Sequence, residues 1–410
     1  MRILHIADAH LDTPFYGRTG ALRRKLQRAC RQAFSSAVDV AIQREVHAFL
    51  IAGDLFDNDR LSFSTEGFLF KALGRLNESG IPVFYATGNH DPGQAKYRTQ
   101  QLEWPDNVYL FASGVPETVP IVDHEGNQVG WLTAAGHNTS QEGSNLAAQF
   151  RPAKSVLPHV AMLHTQIVSA KGAEQHGRYA PCTRGDLTGP GFDYWALGHV
   201  HLRQKVFEDV PAWYPGNLQG RNPKETGPKG ALYIELERHG IPQMEFIPLA
   251  PVVWDWVELR CPEGPTTFAS LVSGLADKIR RVTDLADGRE HLVRIDLTGE
   301  SPLADRINDV ENLRELTALI QDEIDVSWLE IRPRGLVRPV QFEQYEGSAT
   351  VLGEFLGLLK ELLKDDTLLE QIRPADLART DIQDARKYLR GLLPGMDREA
   401  AALLIPEGER

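Results

Sequence analysis

The stretch RILHIADAHLD, Arg2–Asp12, decides the fold because it joins a short strand directly to a pair of polar side chains. Its first five residues have the pattern of a strand buried inside an α/β fold. Asp8 and His10 follow this strand two residues apart, so one turn or extended segment can aim both at a single ion. Ligands of open α/β sheets bind at the carboxyl ends of the strands. The stretch therefore predicts an α/β fold with a functional site after its first strand.

Four further strands predicted in the first 250 residues also end in polar motifs. Ala48–Ala52 leads to Asp54, Val83–Ala86 to Asn89, His90 and Asp91, His159–Leu163 to His164, and Tyr194–Leu197 to His199 and His201. Helical patterns over Ala21–Arg44 and Thr65–Asn77 lie between the first of these strands. The polar motifs therefore stand where an α/β architecture would place a binding site.

Length and composition indicate a globular protein of several domains. The chain has 410 residues, of which 42% are hydrophobic and 24% charged, and this length corresponds to two or three domains. The formal net charge is -12, so the protein as a whole does not attract nucleic acid or anionic membranes. A phosphate-rich substrate would have to be held by local positive charge, including bound metal ions.

The cysteines and the N-terminus indicate a cytoplasmic protein. Cys30, Cys182 and Cys261 lie far apart and form no CxxC pair, which fits a reducing compartment rather than a disulfide framework. The N-terminal residues have the pattern of a strand and not of a signal peptide. No window approaches the ~18 uninterrupted apolar residues of a membrane-spanning helix.

Proline-rich segments divide the chain into three predicted domains. Pro248–Pro251 marks a boundary, so residues 1–250 form the domain that carries the polar motifs. Alternating strand and helix patterns over 251–335 predict a small α/β domain, and Pro333–Pro339 has the composition of a linker. Residues 345–410 are predicted to be helical. The apolar face of Val351–Leu363 could pack on its own domain or dock on a partner helix, and its place after a linker favours the partner.

The polar motifs match what the hydrolysis of a phosphoester requires. Two neighbouring divalent cations neutralise the phosphate, lower the pKa of a bound water and stabilise the attacking and leaving oxygens. Such a pair needs a bridging carboxylate together with further oxygen and nitrogen ligands. Carboxylate and imidazole side chains together suit manganese, iron or zinc better than an all-oxygen magnesium site does.

Each motif taken alone is weak evidence for a metal site. A DxH spacing occurs often by chance, a strand-ending GD is commonly a turn, and an HxH pair can be a surface pair or two buried imidazoles. The order of all five motifs along the chain, each at a predicted strand end, is much more specific. The sequence therefore predicts a metal centre built from Asp8, His10, Asp54, Asn89, His164, His199 and His201.

Taken together, these motifs resemble those of the calcineurin-like metallophosphoesterase superfamily. The blocks RILHIADAHLDTPF, LIAGDLFDN, ATGNHD and YPGNLQGRNPKETGPKG are most similar to SbcD-type DNA-repair exonuclease subunits, in their YhaO branch. The resemblance implies a four-layer α-β-β-α sandwich with a small α/β capping domain and a C-terminal helical segment. It also implies two divalent ions, with Mn²⁺ as the usual ion of the nuclease branch, while Fe²⁺, Zn²⁺ and Mg²⁺ stay open.

The resemblance also implies a role for each residue of the centre. Asp8, His10 and His201 would hold the first metal, Asn89, His164 and His199 the second, and Asp54 would bridge them. His90 would stabilise the transition state or protonate the leaving oxygen, and Asp91 could orient its ring. The chain departs from the family pattern at Ala9, at Asp57, where some relatives carry histidine, and at Asn222.

Several other polar residues have both a functional and a structural interpretation. His137 follows a predicted strand and could line the pocket or serve as a turn residue. The basic residues after the first motif could contact DNA phosphates or form a solvated helix face, and the second interpretation is slightly favoured; they are Arg18, Arg23, Arg24, Lys25, Arg28 and Arg31. Basic residues around the last histidines favour phosphate contact; they are Arg203, Lys205, Arg221, Lys224 and Lys229.

The leading functional hypothesis is a metal-dependent DNA nuclease, an exonuclease or endonuclease in DNA repair, that acts with an SbcC-like (YhaN-like) ATPase. The resemblance further implies a homodimer, and no membrane partner is expected. A phosphatase or small-molecule phosphodiesterase on the same catalytic domain is the first alternative. A non-catalytic scaffold with structural metals is the second, and the presence of His90 argues against it, since a structural site has no need of that residue.

Overall fold

The protein is described from a computed structural model that covers residues 1–57, 61–94, 96–175, 177–262, 264, 267–283, 288–371 and 385–405. These residues form two compact units. The first is Met1–Asp255 with a short segment that ends at Leu292, and the second is the remaining described chain. The predicted helical segment 345–410 lies outside the described residues at 372–384 and 406–410. The division into three domains stays a prediction.

The first unit consists mainly of strands. In chain order these are β1 (Arg2–Ile6), β2 (Ala48–Ala52), β3 (Val83–Ala86), β4 (Val108–Phe111), β5 (Glu117–Val122), β6 (Gln128–Ala135), β7 (His159–His164), β8 (Tyr194–Gly198), β9 (Gln204–Phe207), β10 (Val210–Tyr214), β11 (Gly230–Glu237) and β12 (Gly240–Pro248). The helices are α1 (Gly20–Gln43), α2 (Phe63–Glu78), α3 (Arg98–Gln101) and α4 (Arg184–Thr188), with 3-10 turns at Ala147–Gln149 and Ala173–Gln175.

Within the described residues the strands of the first unit form two six-stranded sheets. The first has the order β12-β11-β1-β2-β3-β4 and the second the order β5-β6-β7-β8-β10-β9. β1 to β4 are parallel to one another, and so are β6, β7, β8 and β10. The antiparallel strands lie at the edges of each sheet or beside β1. In each sheet, the carboxyl ends of several parallel strands therefore lie at the same edge.

The two sheets pack face to face, and helices cover their outer faces. β8 shows the arrangement: Tyr194 and Ala196 point into the core shared by both sheets, whereas Trp195 and Leu197 point into the core on the other side. Burial on both faces explains why β8 is a continuous apolar run. On the outside of the first sheet, Phe34 of α1 packs on Phe49 of β2 with ring centroids 6.1 Å apart. The predicted α-β-β-α sandwich is confirmed.

The second unit is a smaller α/β unit with C-terminal helices. Its sheet has the order β13-β14-β15. Its elements are β13 (Val252–Arg260), α5 (Phe268–Val282), β14 (Glu290–Glu300), α6 (Ala304–Asn308), α7 (Val310–Ile324), β15 (Trp328–Val337), a 3-10 turn (Phe342–Gln344), α8 (Val351–Lys364), α9 (Asp366–Gln371), α10 (Ala385–Leu392) and α11 (Met396–Leu404). The first residues of β13 and of β14 belong to the first unit.

The helix α8 buries its main apolar face inside the second unit. Leu352 and Leu356 pack on α11, while Leu359 and Leu362 pack against residues of α9 and α10. Much of this face therefore packs within the chain itself, while Val351 and Leu363 remain exposed, and docking of the segment on a partner stays a prediction. Among the described helices, none combines the length and the apolar character that crossing a bilayer requires.

Two close backbone approaches bring the two sheets together at the strand ends. A Cβ atom at Gly198, the last residue of β8, would stand 1.7 Å from the carbonyl oxygen of Ala52 at the end of β2. Gly53 has a φ of +88°, and a Cβ there would lie 2.2 Å from Nδ1 of His164. Only glycine fits at these two positions. The carboxyl ends of β2, β7 and β8 can therefore meet.

We expect Gly198→Ala to destabilise the first unit because the added methyl group must displace a backbone carbonyl rather than a flexible side chain. Overpacking of this kind costs roughly 1–3 kcal/mol, sometimes more. Gly74→Ala is the matched control, since a Cβ at this position of α2 meets nothing within 4 Å and alanine favours the helix by roughly 0.5–1 kcal/mol. Denaturant unfolding of both variants measures the difference. Equal stability of the two variants would contradict the close approach.

Candidate metal centre

The structure brings all seven predicted ligands together at the carboxyl ends of five strands. Asp8 and His10 follow β1, Asp54 follows β2, Asn89 follows β3, His164 ends β7, and His199 and His201 follow β8. The first sheet and the second sheet thus each contribute to one cluster. Every one of these side chains lies within 4.0 Å of another member, so one continuous polar cluster results.

One half of the cluster consists of Asp8, His10 and His201. Nε2 of His10 lies 3.2 Å from Nε2 of His201, and both atoms lie within 4.0 Å of Asp8 Oδ1. The three ligand atoms are close enough to surround one cation. All three residues are buried. This half therefore provides one carboxylate and two imidazoles for a first metal position.

The other half consists of Asn89, His164 and His199. The amide oxygen of Asn89 lies 3.0 Å from Nε2 of His164 and 3.2 Å from Nδ1 of His199. The two ring nitrogens are 3.3 Å apart. An amide oxygen and two imidazole nitrogens thus converge on one point and provide a second metal position.

Asp54 lies between the two halves. Its Oδ2 is 3.8 Å from Nε2 of His10 and 3.4 Å from Nε2 of His164. The other oxygen, Oδ1, accepts a hydrogen bond from the backbone N–H of His90 at 2.9 Å. One carboxylate thus faces both positions, as a bridging ligand must.

The electrostatics of the cluster fit a pair of bound cations. Burial, together with the nearby Asp54 carboxylate, raises the pKa of Asp8 well above its usual range, and burial raises the pKa of Asp54 to about 7. Burial likewise lowers the pKa of His10 and of His164 well below the usual range. The imidazoles of His10 and His164 are therefore neutral and able to ligate, while the crowded carboxylates need positive charge. The donor set suits two divalent metals.

Backbone strain is concentrated at the same residues. Asp8, His10, Asp54 and His199 have φ values of 52°, 45°, 51° and 107°. Non-glycine residues rarely adopt this left-handed region, and each one costs free energy of order 1–3 kcal/mol. The strain is maintained because the two sheets hold the strand ends in place, and it aims the side chains of short loops into one cluster.

His90 lies at the edge of the cluster, where its side chain is 40% exposed. Its ring is 5.0 Å from the ring of His10. Nδ1 of His90 lies 3.3 Å from both the backbone oxygen and Oδ1 of Asp57. A cleft of about 220 Å³ opens here and is lined by Asp54, Asn89, His90, Gln175, Gly177, Tyr179, His199, His201 and Arg221. His90 is therefore accessible to a substrate in the cleft.

The prediction that Asp91 orients the ring of His90 is wrong. Its buried carboxylate accepts hydrogen bonds from the backbone N–H groups of Leu55 and Gly88, each at 2.6 Å, and from the hydroxyl of Tyr85. A buried carboxylate takes whichever donors surround it, and here these are backbone groups of the loops after β2 and β3. Asp91 thus ties the Asp54 loop to the Asn89 loop, and Asp57 stands where Asp91 was expected.

Two residues that the sequence did not assign to the centre, Asp57 and Glu225, lie directly behind it. Asp57 Oδ1 is 2.9 Å from Nδ1 of His10 and 2.7 Å from Nη1 of Arg221. Glu225 Oε1 is 3.0 Å from Nδ1 of His201. Asp57 was visible only as a departure from the family pattern. Glu225 lies in a glycine-rich loop without any spacing rule that links it to His201.

His137 and the basic residues are placed as follows. His137 is buried behind the centre, where its Nε2 bonds to the backbone oxygen of His164 at 2.7 Å, and burial lowers its pKa to about 4. It supports β7 and does not line the cleft. In the basic helix α1, Arg31 donates to Thr65. Of the second basic group, Arg221 lines the cleft, and Lys229 donates to the backbone oxygen of His201 at 2.9 Å.

Comparison with known proteins places this centre in a family. Residues 1–203 match the calcineurin-like phosphoesterase family, and residues 254–331 match the middle domain of metallophosphoesterase YhaO. The chain is 35% identical over 308 residues to the uncharacterized metallophosphoesterase YhaO of Bacillus subtilis, covering 74% of this chain and 72% of that protein.

More distant similarity extends to archaeal proteins and to solved structures. The DNA double-strand break repair protein Mre11 of Methanopyrus kandleri is 24% identical over 60% of this chain and 56% of its own length. The Mre11 protein of Aeropyrum pernix is 24% identical over 74% of both chains. A dimetal phosphatase from Danio rerio aligns with a TM-score of 0.34 at 12% identity, over 58% of this chain and 93% of its own. The match to the Bacillus protein, together with the two family matches, shows that this chain belongs to the calcineurin-like metallophosphoesterases, in their YhaO-like branch.

Proposed function

We propose that this protein is a metal-dependent DNA nuclease that hydrolyses phosphodiester bonds with two divalent cations, Mn²⁺ by preference. The observation that carries the proposal is the convergence of seven ligand side chains beside an accessible His90 in one cleft. Asp8, His10 and His201 would hold one cation and Asn89, His164 and His199 the other, with Asp54 facing both. When bound, two such cations neutralise the phosphate and lower the pKa of a water molecule.

The residues of the chain have separate tasks in this reaction. The four imidazoles and the three oxygen ligands would hold the cations. His90 keeps Nδ1 towards Asp57, at 3.3 Å, which leaves Nε2 for the substrate. From there it stabilises the developing charge on the phosphate or donates a proton to the leaving oxygen. Arg221 lines the same cleft and adds a fixed positive charge for a phosphate oxygen.

Three features support DNA as the substrate. The archaeal relatives are named for the repair of DNA double-strand breaks, and the chain carries a second unit beyond the part that matches the phosphoesterase family. A cleft of about 610 Å³ adjoins the centre through Arg221 and His201 and also contains Lys224. Local cations of this kind are what an acidic protein needs to hold a nucleic-acid backbone. A role in DNA repair beside an SbcC-like ATPase, in a cytoplasmic homodimer, completes the proposal.

We expect the purified protein with Mn²⁺ to degrade labelled single-stranded or double-stranded DNA. The Asp54→Asn variant is the control, because it removes the charge that faces both metal positions and should lose the activity. A chromogenic small phosphodiester is tested in parallel. Rapid hydrolysis of the small diester without DNA cleavage, whether or not the ATPase is added, would instead identify a small-molecule phosphodiesterase or phosphatase.

We expect His90→Ala to reduce hydrolysis by about 10²–10⁴-fold, the usual contribution of a general acid or base, without loss of metal. Metal content is measured by elemental analysis and turnover with the small phosphodiester. His124→Ala, a change at a histidine whose side chain is 76% exposed, should alter neither quantity. Loss of metal in His90→Ala would make His90 a ligand, and full activity with full metal content would show that His90 takes no part in hydrolysis.

A further inference from the structure

The histidines of the two metal positions differ in what lies behind their rings. At the first position, Nδ1 of His10 contacts Asp57 Oδ1 at 2.9 Å and Nδ1 of His201 contacts Glu225 Oε1 at 3.0 Å. Both imidazoles therefore have a carboxylate behind them. Their Nε2 atoms, which lie 3.2 Å apart, face the cluster.

At the second position the same places are taken by neutral backbone carbonyls. Nδ1 of His164 lies 3.0 Å from the oxygen of Ala52, and Nε2 of His199 lies 2.9 Å from the oxygen of Gly177. A carbonyl fixes the tautomer of a ring but contributes no net charge. The first position also has the carboxylate of Asp8 where the second has the amide of Asn89. The two positions are therefore electrostatically unequal.

The carboxylates behind the first position are firmly held. Asp57 and Glu225 have side chains that are each only 11% exposed. Arg221 joins them, because its Nη1 lies 2.7 Å from Asp57 Oδ1 and its backbone N–H donates to Glu225 Oε2 at 2.7 Å. Glu225 also accepts from the side-chain amides of Asn217 and Asn222, at 2.7 and 2.8 Å. Neither carboxylate can turn away without breaking several contacts.

The nearby cations do not cancel this negative charge. Arg221 is paired with Asp57, and Lys229 bonds to the backbone oxygen of His201. Among the described residues around this position, the three carboxylates of Asp8, Asp57 and Glu225 therefore face the two cationic side chains of Arg221 and Lys229. The contact between His10 and Asp57 is short but not aligned as a hydrogen bond, so it acts through charge: it keeps the proton on Nδ1 and the lone pair on Nε2.

We propose that Asp57 and Glu225 are positioning residues which make the metal position at Asp8, His10 and His201 the tighter of the two. The inference rests on the proposed two-metal centre. A carboxylate behind a metal-binding imidazole fixes its tautomer and orientation and increases the basicity of the ligating nitrogen. The first position then fills at low Mn²⁺ concentration. The second, with neutral groups behind its histidines, controls how activity depends on Mn²⁺.

Asp57 has a further consequence because it touches two functional groups. The same Oδ1 atom that contacts His10 lies 3.3 Å from Nδ1 of His90. One carboxylate therefore positions a metal ligand and the residue proposed to act on the substrate. Among the described functional groups, Glu225 contacts His201 and the backbone of Arg221 but not His90. The two positioning residues should consequently differ in their effect. Turnover of the Asp57→Asn variant should stay reduced even at saturating Mn²⁺, whereas saturating Mn²⁺ should largely restore the turnover of the Glu225→Gln variant.

Mn²⁺ titration of the chelator-treated protein, with free ion followed by electron paramagnetic resonance, tests the proposal. We expect two classes of Mn²⁺ site in the unaltered protein, one of higher affinity than the other. Asp57→Asn, which keeps an oxygen at the same place but removes the charge, should weaken the tighter class by about 10–100-fold and leave the other unchanged. Glu225→Gln should act on the same class. Asp193→Asn is the matched control, since it neutralises a carboxylate whose side chain is 2% exposed at the opposite end of β8.

Two ligand variants identify which class belongs to which position. His10→Ala should remove the tighter class, and Asn89→Ala the weaker one. In the Asn89→Ala background, Asp57→Asn should still weaken the remaining site. Thermal melting of each variant verifies that it is folded.

Two Mn²⁺ sites of equal affinity in the unaltered protein would overturn the inference while leaving the two-metal centre intact. So would an effect of Asp57→Asn on the class of site that Asn89→Ala removes. Binding of fewer than two ions by the unaltered protein would contradict the proposed function as well.

Discussion

The contact on which the rest of the structure depends is the approach of Gly198, at the end of β8, to the carbonyl of Ala52, at the end of β2. A methyl group at Gly198 would stand 1.7 Å from that oxygen. The second sheet can therefore deliver His164, His199 and His201 against Asp8, Asp54 and Asn89 of the first. Neither sheet alone holds a complete set of ligands for either cation. The face-to-face packing of the two sheets and the metal centre are thus two aspects of one arrangement, and a side chain at this position would disturb both.

Bringing these groups together is unfavourable without a bound cation. Two buried carboxylates, Asp8 and Asp54, share one cluster, and burial raises the pKa of each. Four of the seven ligand residues also adopt left-handed backbone conformations, at a cost of order 1–3 kcal/mol each. The hydrophobic core between the sheets offsets this cost and holds the ligands in place in advance. Cations that bind only the folded state stabilise it, because their binding free energy offsets part of this cost. Metal binding and folding stability are therefore linked.

The sequence was sufficient to predict the elements and the site residues that depend on local sequence patterns. Each predicted ligand stands directly after a strand that its apolar run identifies, so the convergence of Asp8, Asp54 and His164 follows from the architecture of an α/β fold. The prediction for Asp91 was wrong because adjacency in sequence does not fix the direction of a side chain. Its carboxylate accepts hydrogen bonds from buried backbone N–H groups instead. Asp57 and Glu225 were not found because their partners, Arg221 and His201, become neighbours only when distant loops fold together.

The charge of the protein bears on how an anionic substrate could be held. A net charge of -12 repels phosphates at long range, but the Debye length of about 8 Å at physiological salt limits that repulsion to nearby groups. Within the cleft the local balance is different, because Arg221 lines it and the acidic side chains of the centre would be neutralised by the cations that they hold. Asp57 and Glu225 are not among the residues that line this cleft, and they contact the histidines of the first metal position. Their negative charge would therefore act on a bound cation through an imidazole.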